Sequence, residues 1–302
     1  LSIMKVLKVA FLSAVTFLSL QVSAQESEGE ENLEIDTTKT WTIMGENTFL
    51  LNQSSFSNWA AGGVNSLAGN LIFNYDFNYK KDKWNWDNKL IAAYGQTYQK
   101  ETDWRKNDDR FAINSLLGYQ AAEKWYYTFF MNFNTQFANG YEYKDQIRGR
   151  KISAPFAPAY LSFGPGMAFK ESDNFKINIS PASARFVMVG AESLRPDYGV
   201  DPDKFSRNEF GAALDAYYKV GLMENITFEN ILKLYSNYLQ DPQNIDVDYL
   251  ANLNLQVNRF ISVNAAVQLV YDDNVNVPKS DGTKGPGLQV RQILGAGVTY
   301  KF

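Results

Sequence analysis

From Trp41 onward, apolar and polar positions alternate with a period of two. That spacing sorts side chains onto the two faces of a strand, whereas a helix would scatter them around its axis. The clearest run is 67–79. Leu67, Gly69, Leu71, Phe73, Tyr75, Phe77 and Tyr79 share one phase, and Asn70, Asn74, Asp76 and Asn78 fall in the other. A tilted strand crosses a bilayer with roughly 9–11 residues, so this run is long enough to span.

The alternation predicts twelve strands, at 41–52, 66–79, 84–99, 109–120, 125–137, 159–169, 175–189, 208–220, 225–236, 246–257, 260–271 and 288–302. The links at 80–83, 121–124, 170–174, 221–224 and 258–259 are short. Those at 53–65, 100–108, 138–158, 190–207, 237–245 and 272–287 are longer. Bacterial outer-membrane barrels have even strand numbers, short periplasmic turns and long external loops. The expected fold is therefore all-β, a transmembrane antiparallel up-and-down β-barrel of about 12 strands with both termini periplasmic. Closure also removes the strand edges that lipid would penalise.

One strand changes phase. Phe175, Ile177 and Ile179 point outward, and an unchanged register after Pro181 would aim Arg185 at lipid. An arginine near the bilayer centre costs about 2–4 kcal/mol. A one-residue bulge near Pro181 would instead turn Ala184, Phe186 and Met188 outward and Arg185 inward. A bulge also tolerates a residue with no N–H to donate.

Composition adds to this pattern. Aromatic residues make up 15% of the chain, yet its mean hydropathy is −0.33. Many aromatics without long apolar runs suit strands that face lipid on one side and a polar lumen on the other. Trp84, Trp86, Trp125 and Tyr127 stand at strand starts beside short turns, where a periplasmic aromatic girdle belongs. The inward phase carries Asp76, Asp87, Lys89, Glu209, Asp215, Glu229, Lys233, Asp246, Asp248 and Arg291, with many asparagines, and a few apolar groups such as Ile72, Ile91 and Phe130. Such groups either line a water-filled channel or pair into a network that fills the lumen.

The first residues read as a leader. Lys5 and Lys8 precede an apolar run that ends at Val22-Ser23-Ala24, so residues 1–24 are expected to be a cleaved signal peptide. Residues 25–40, with six acids between Glu26 and Asp36, are expected to form a flexible acidic segment before a barrel at 41–302.

Charge and residue usage exclude several functions. The chain has no Cys and no His, which rules out thiol chemistry, a Ser-His-Asp triad and a His-ligated zinc site. No enzyme activity and no cofactor are expected. The formal charge is −4, and loss of Lys5 and Lys8 would make the mature chain more acidic, which argues against nucleic acid as a partner. Asp246 and Asp248 share a strand face at spacing two, but their position at a strand's external end favours a solvated rim over a metal or acid–base pair.

The partners expected are outer-membrane lipid and lipopolysaccharide, with other outer-membrane or periplasmic proteins as further candidates. Lys144, Arg148, Arg150 and Lys151 give the loop at 138–158 a mildly basic patch for anionic headgroups or a partner protein. The link at 190–207, with Arg195-Pro196-Asp197-Tyr198, has the turn chemistry of an ordered loop able to fold over the barrel mouth. In the segment Asn58-Trp59-Ala60-Ala61-Gly62-Gly63-Val64-Asn65-Ser66, Gly62 and Gly63 permit backbone shapes closed to other residues. Trp59 is then placed either to clamp the turn or to meet a partner at the rim.

This Asn-Trp-x-x-Gly-Gly-x-Asn-Ser segment, set before a strong amphipathic strand, resembles an uncharacterised family of Bacteroidota outer-membrane barrels known as a domain of unknown function. The resemblance implies location and fold over 41–302 and brings no catalytic residues. The terminal Phe302, in the outward phase, resembles the C-terminal signal of outer-membrane proteins. Two roles follow: a structural or accessory subunit of an outer-membrane secretion, assembly or uptake complex, or a small passive diffusion channel.

Overall fold

The computed structural model describes residues 40–55, 65–99, 102–144, 147–278 and 283–302. Twelve antiparallel strands close into one barrel, each bonded to its neighbours in sequence order and the last to the first. They are β1 (Trp41–Ser54), β2 (Ser66–Lys81), β3 (Trp84–Gln99), β4 (Asp103–Gln120), β5 (Trp125–Thr135) and β6 (Ala159–Ser172). The circle continues through β7 (Phe175–Met188), β8 (Ser206–Met223), β9 (Ile226–Asn237), β10 (Asp246–Gln256), β11 (Ile261–Tyr271) and β12 (Gln289–Lys301). Among the described residues no helix is long and apolar enough to cross a membrane.

The bulge expected near Pro181 is present. Gly211 pairs with Ser183 while Ala213 pairs with Ser180, so β7 carries one extra residue against β8. Ser183 donates to the Ser180 carbonyl across the bulge at 3.0 Å. Arg185 is turned inward and buried, while Ala184, Phe186 and Met188 keep the outer phase. On the other side β6 meets the bulge with Gly164-Pro165-Gly166. A Cβ on Gly164 would lie 2.5 Å from the Ala182 carbonyl oxygen, and one on Gly166 would lie 2.6 Å from that of Ile179. Only glycine lets the two backbones approach this closely.

Several strand bounds differ by two or three residues from those expected, and the largest difference is at β4. Residues 103–108, read as part of a long loop at 100–108, belong to β4. Gly95 pairs with Asp108 and Gln96 with Lys106, so Asn107 is an extra residue. This second bulge shifts the phase and hides the alternation among polar side chains. Beyond it Trp104 faces out against Tyr98, with ring centroids 5.3 Å apart.

The outside of the wall is apolar, with Ile43, Phe49, Leu71, Phe129, Ile179 and Leu294 all exposed. At the end with the short turns, aromatic side chains form a belt. Trp41 meets Tyr79 at 5.1 Å, Trp84 meets Tyr119 at 5.0 Å and Trp125 meets Phe169 at 5.3 Å. Phe302 joins the belt against Tyr75 at 5.7 Å.

The long-loop end is built differently. The link after β5 contains a hairpin, Gly140–Lys144 with Ile147–Ser153. The link after β7 contains a 3-10 helix, Glu192–Tyr198. The link after β11 contains a short pair, Val277–Pro278 with Lys284–Gly285. Leu194 and Val200 of the helical link bury against Val187, Val189, Ala154 and Ala157. Together these loops form a cap whose apolar core also takes in Val187 of β7 and Tyr160 of β6.

Candidate functional site

The lumen is crossed by polar bridges between strands that are not neighbours, and such bridges can only run through the interior. Lys89 on β3 lies 3.5 Å from Glu229 on β9. Lys170 on β6 and Lys176 on β7 hold Asp87 on β3 at 3.2 and 2.9 Å. Lys233 on β9 donates to Asn114 on β4, and Asn132 on β5 donates to Asp215 on β8 at 3.1 Å. Arg291 on β12 pairs with Asp108 on β4.

The largest knot surrounds the arginine that the bulge turns inward. Arg185 holds Glu209 at 2.6 Å, pairs with Asp246 and lies 3.9 Å from Asp272. Its guanidinium stacks on Tyr235 at 4.1 Å. Arg207 adds a second contact to Glu209 at 2.8 Å. In a medium of low dielectric such a knot is tolerated only where opposite charges face each other, as the two arginines and three carboxylates do here.

Between the bridges lie two cavities, of about 510 Å³ toward the long loops and about 200 Å³ toward the short turns. Phe130, Asn132, Asp215 and Lys233 line both and form the neck between them. Tyr198 and Val275 of the cap contribute to the lining of the outer cavity.

Asp246 and Asp248 do not make the solvated rim pair expected from their place at the strand's end. Both are half-buried. Asp246 turns to Arg185, while Asp248 accepts from Gln268 at 2.8 Å. Carboxylate oxygens of Asp246, Asp272 and Asp273 lie within 4.8 Å of one another; Arg185 pairs with Asp246 and lies 3.9 Å from Asp272, while Asp273 accepts from Asn244. The spacing-two argument missed Arg185 because its partners come from strands far apart in sequence.

In the cap, Asp197 ties three loops together. It accepts from Lys284 at 2.8 Å and from Arg150, and its carbonyl accepts from the Asn276 amide at 3.0 Å. Burial pushes the Asp197 carboxyl up, but the bonds from Lys284 and Arg150 outweigh this and hold it below its ordinary value. Burial, aided by the charge of Asp197, pushes the Tyr198 hydroxyl up to about 12; it donates to the Ile152 carbonyl at 2.9 Å.

The basic patch is thus partly used within the protein. Arg150 also reaches Glu142 at 3.2 Å, and Arg148 stacks on Tyr141 at 3.5 Å. Lys151 is half-buried in the same hairpin. Trp59, Gly62 and Gly63 lie outside the described residues, as do the side chain of Lys144, the leader at 1–24 and the acidic segment up to residue 39.

Fold and lumen together define a twelve-stranded antiparallel barrel of the outer-membrane type, without an enzyme-like constellation among the described residues. Residues 51–141 match the family described as "Protein of unknown function (DUF3078)". That span contains Trp59, Gly62 and Gly63 and is narrower than the 41–302 implied by the resemblance. No curated protein sequence matches the chain. Among solved structures, the chain is similar to an outer-membrane channel from Pseudomonas putida F1, at 9% identity and TM-score 0.39, over 93% of this chain and 100% of that one. It is similar to the NanC porin at 10% identity and TM-score 0.38, over 84% and 98%. The translocator domain of the autotransporter NalP from Neisseria meningitidis follows at 9% identity and TM-score 0.32, over 99% and 96%.

Proposed function

We propose that this chain is a non-enzymatic barrel of a Bacteroidota outer membrane, acting as a structural or accessory subunit of a secretion, assembly or uptake complex. The observation that carries this reading is the set of transverse bridges, with Lys89–Glu229 at 3.5 Å and Lys176–Asp87 at 2.9 Å among them. A lumen tied across at several levels is suited to stiffness more than to bulk flow. The apolar wall and the aromatic belt support insertion in a bilayer with the short turns and both termini in the periplasm. The cap then faces outward, where the exposed guanidinium of Arg148 and the segment with Trp59, Gly62 and Gly63 are candidate contacts for lipopolysaccharide or a partner protein. Residues 1–24 are the proposed export signal. Mild detergent extraction from native membranes tests the accessory role: the barrel is expected to migrate with a stable companion, and migration alone would overturn it.

The two cavities favour a second reading, a narrow passive channel through the neck at Phe130 and Lys233. Planar-bilayer recording separates the two. The accessory reading expects no steady conductance in the wild type, and reproducible steps would favour the channel.

A further inference from the structure

One strip of the lumen wall carries no charge. On its inner face β5 presents Phe130, Asn132 and Asn134, and β6 sets Gly164, Ser162 and Tyr160 directly opposite them. Opposed side chains on one face of a sheet are close neighbours, so the strip is continuous. Apart from Gly164, these residues all line the outer cavity of about 510 Å³, and the buried Phe130 ends the strip at the neck. Asn132 donates to Asp215 at 3.1 Å. Asn134, Ser162 and Tyr160 are half-buried, and their side chains have no hydrogen-bond partner among the described residues. Beside Phe130, the Tyr235 hydroxyl is buried and also without a partner. A buried hydroxyl left in that state costs about 1–3 kcal/mol.

The charged groups of the same cavity are matched to one another. Arg291 holds Asp108 and donates to Gln268 at 3.2 Å, and Gln268 donates to Asp248 at 2.8 Å. Lys106 holds Asp109 at 2.8 Å, and Arg185 is paired with Glu209 and Asp246. Arg110 is buried among Asp248, Asp108 and Glu229. An ionic ligand would have to disturb these pairs, and breaking a buried pair is costly, whereas a neutral ligand leaves them intact. The groups left over are amides and hydroxyls, which both donate and accept. A sugar hydroxyl does the same. Gln289 lines the cavity too and is exposed, so the cavity reaches the surface at the long-loop end.

We propose that the uncharged strip on β5 and β6 is a binding site for a neutral sugar of one or two rings, its hydroxyls bonded to Asn134, Ser162 and Tyr160. A cavity of about 510 Å³ suits a ligand of that size. The site goes beyond both readings above. Sugar binding needs neither a companion protein nor conductance, so it can fail while they stand.

Isothermal titration of the full chain in dimethyldodecylamine oxide micelles, a detergent without a sugar headgroup, tests the site. Maltose and glucose are expected to bind saturably. Glucuronate and glucosamine, which add a charge to the same ring, and diglycine, a zwitterion with an amide, should bind at least about tenfold more weakly. Tyr160→Phe and Ser162→Ala each delete one hydroxyl, and each should weaken maltose by about fivefold. Asn78→Ala, in the inner cavity, should leave its affinity unchanged. Heat-modifiable migration identifies the folded variants, and either hydroxyl variant serves if the other does not fold. No saturable binding of either sugar, equal or tighter binding of the charged compounds, or an unchanged maltose affinity in a folded hydroxyl variant would each overturn the proposal.

Discussion

At the end with the short turns, hairpins close within a few residues and aromatic rings line the wall. At the end with the long loops, the chain returns over the mouth, buries Leu194 and Val200 and interlocks at Asp197. The first end is stabilised by strand pairing and by ring-on-ring aromatic contacts. The second is held by an apolar cluster beneath its loops. The comparison teaches that one chain uses two physical regimes, divided near the level of Arg185, where the last large set of buried charges ties the wall together.

The largest break in this contrast is expected at that level. Arg185→Ala would leave Glu209 and Asp246 with much of their charge uncompensated, at a cost of about 3–5 kcal/mol. Urea unfolding in detergent micelles should show it, and a change under about 1 kcal/mol would deny the knot a structural role. Next, Leu194→Ala should cost the cap about 2–5 kcal/mol. Because most of that core lies in the loops, this loss should appear as fast proteolysis within 190–205 while the heat-modifiable barrel band persists. A fall in the barrel's own midpoint would mean that the two regimes are not separable. Gly166→Val tests the wall alone. Its Cβ would meet the Ile179 carbonyl oxygen at 2.6 Å, so a loss of about 1–3 kcal/mol is expected in the barrel midpoint, with cap proteolysis unchanged.

The smallest effect concerns pH. The Asp197 carboxyl is held below its ordinary value of 3.8 in the folded cap. Its contribution is therefore full above that value and is lost as pH falls through the lowered one. A half-exposed cluster of this kind is worth about 0.2–1 kcal/mol. Cap cleavage by pepsin should accelerate as the pH falls through this acidic range in the wild type. Asp197→Asn should be cleaved faster at every pH with a flatter profile, and identical profiles for the two proteins would remove Asp197 from the account.

Much of the wall was legible in the alternation. The inward turn of Arg185 followed from the cost of an arginine in lipid, together with a proline that needed a bulge. The bulge at Asn107 was not legible, since residues 103–108 are mostly polar and show no apolar phase to lose. The candidate site was readable only as a set of inward polar residues. Nothing in the order of the chain says that Lys176 would meet Asp87, 89 residues away.

The sequence by itself determined that the chain is a closed β-barrel, its strand number, the phase of most strands and the end at which the aromatic belt lies. These follow from local rules: a period of two, the length needed to cross hydrocarbon and the penalty for a charge facing lipid. Only the tertiary structure decided which charges bridge the lumen and how the cap locks. Those depend on how strands distant in sequence are staggered around a closed circle, and curvature and stagger are properties of the whole ring that no single strand encodes.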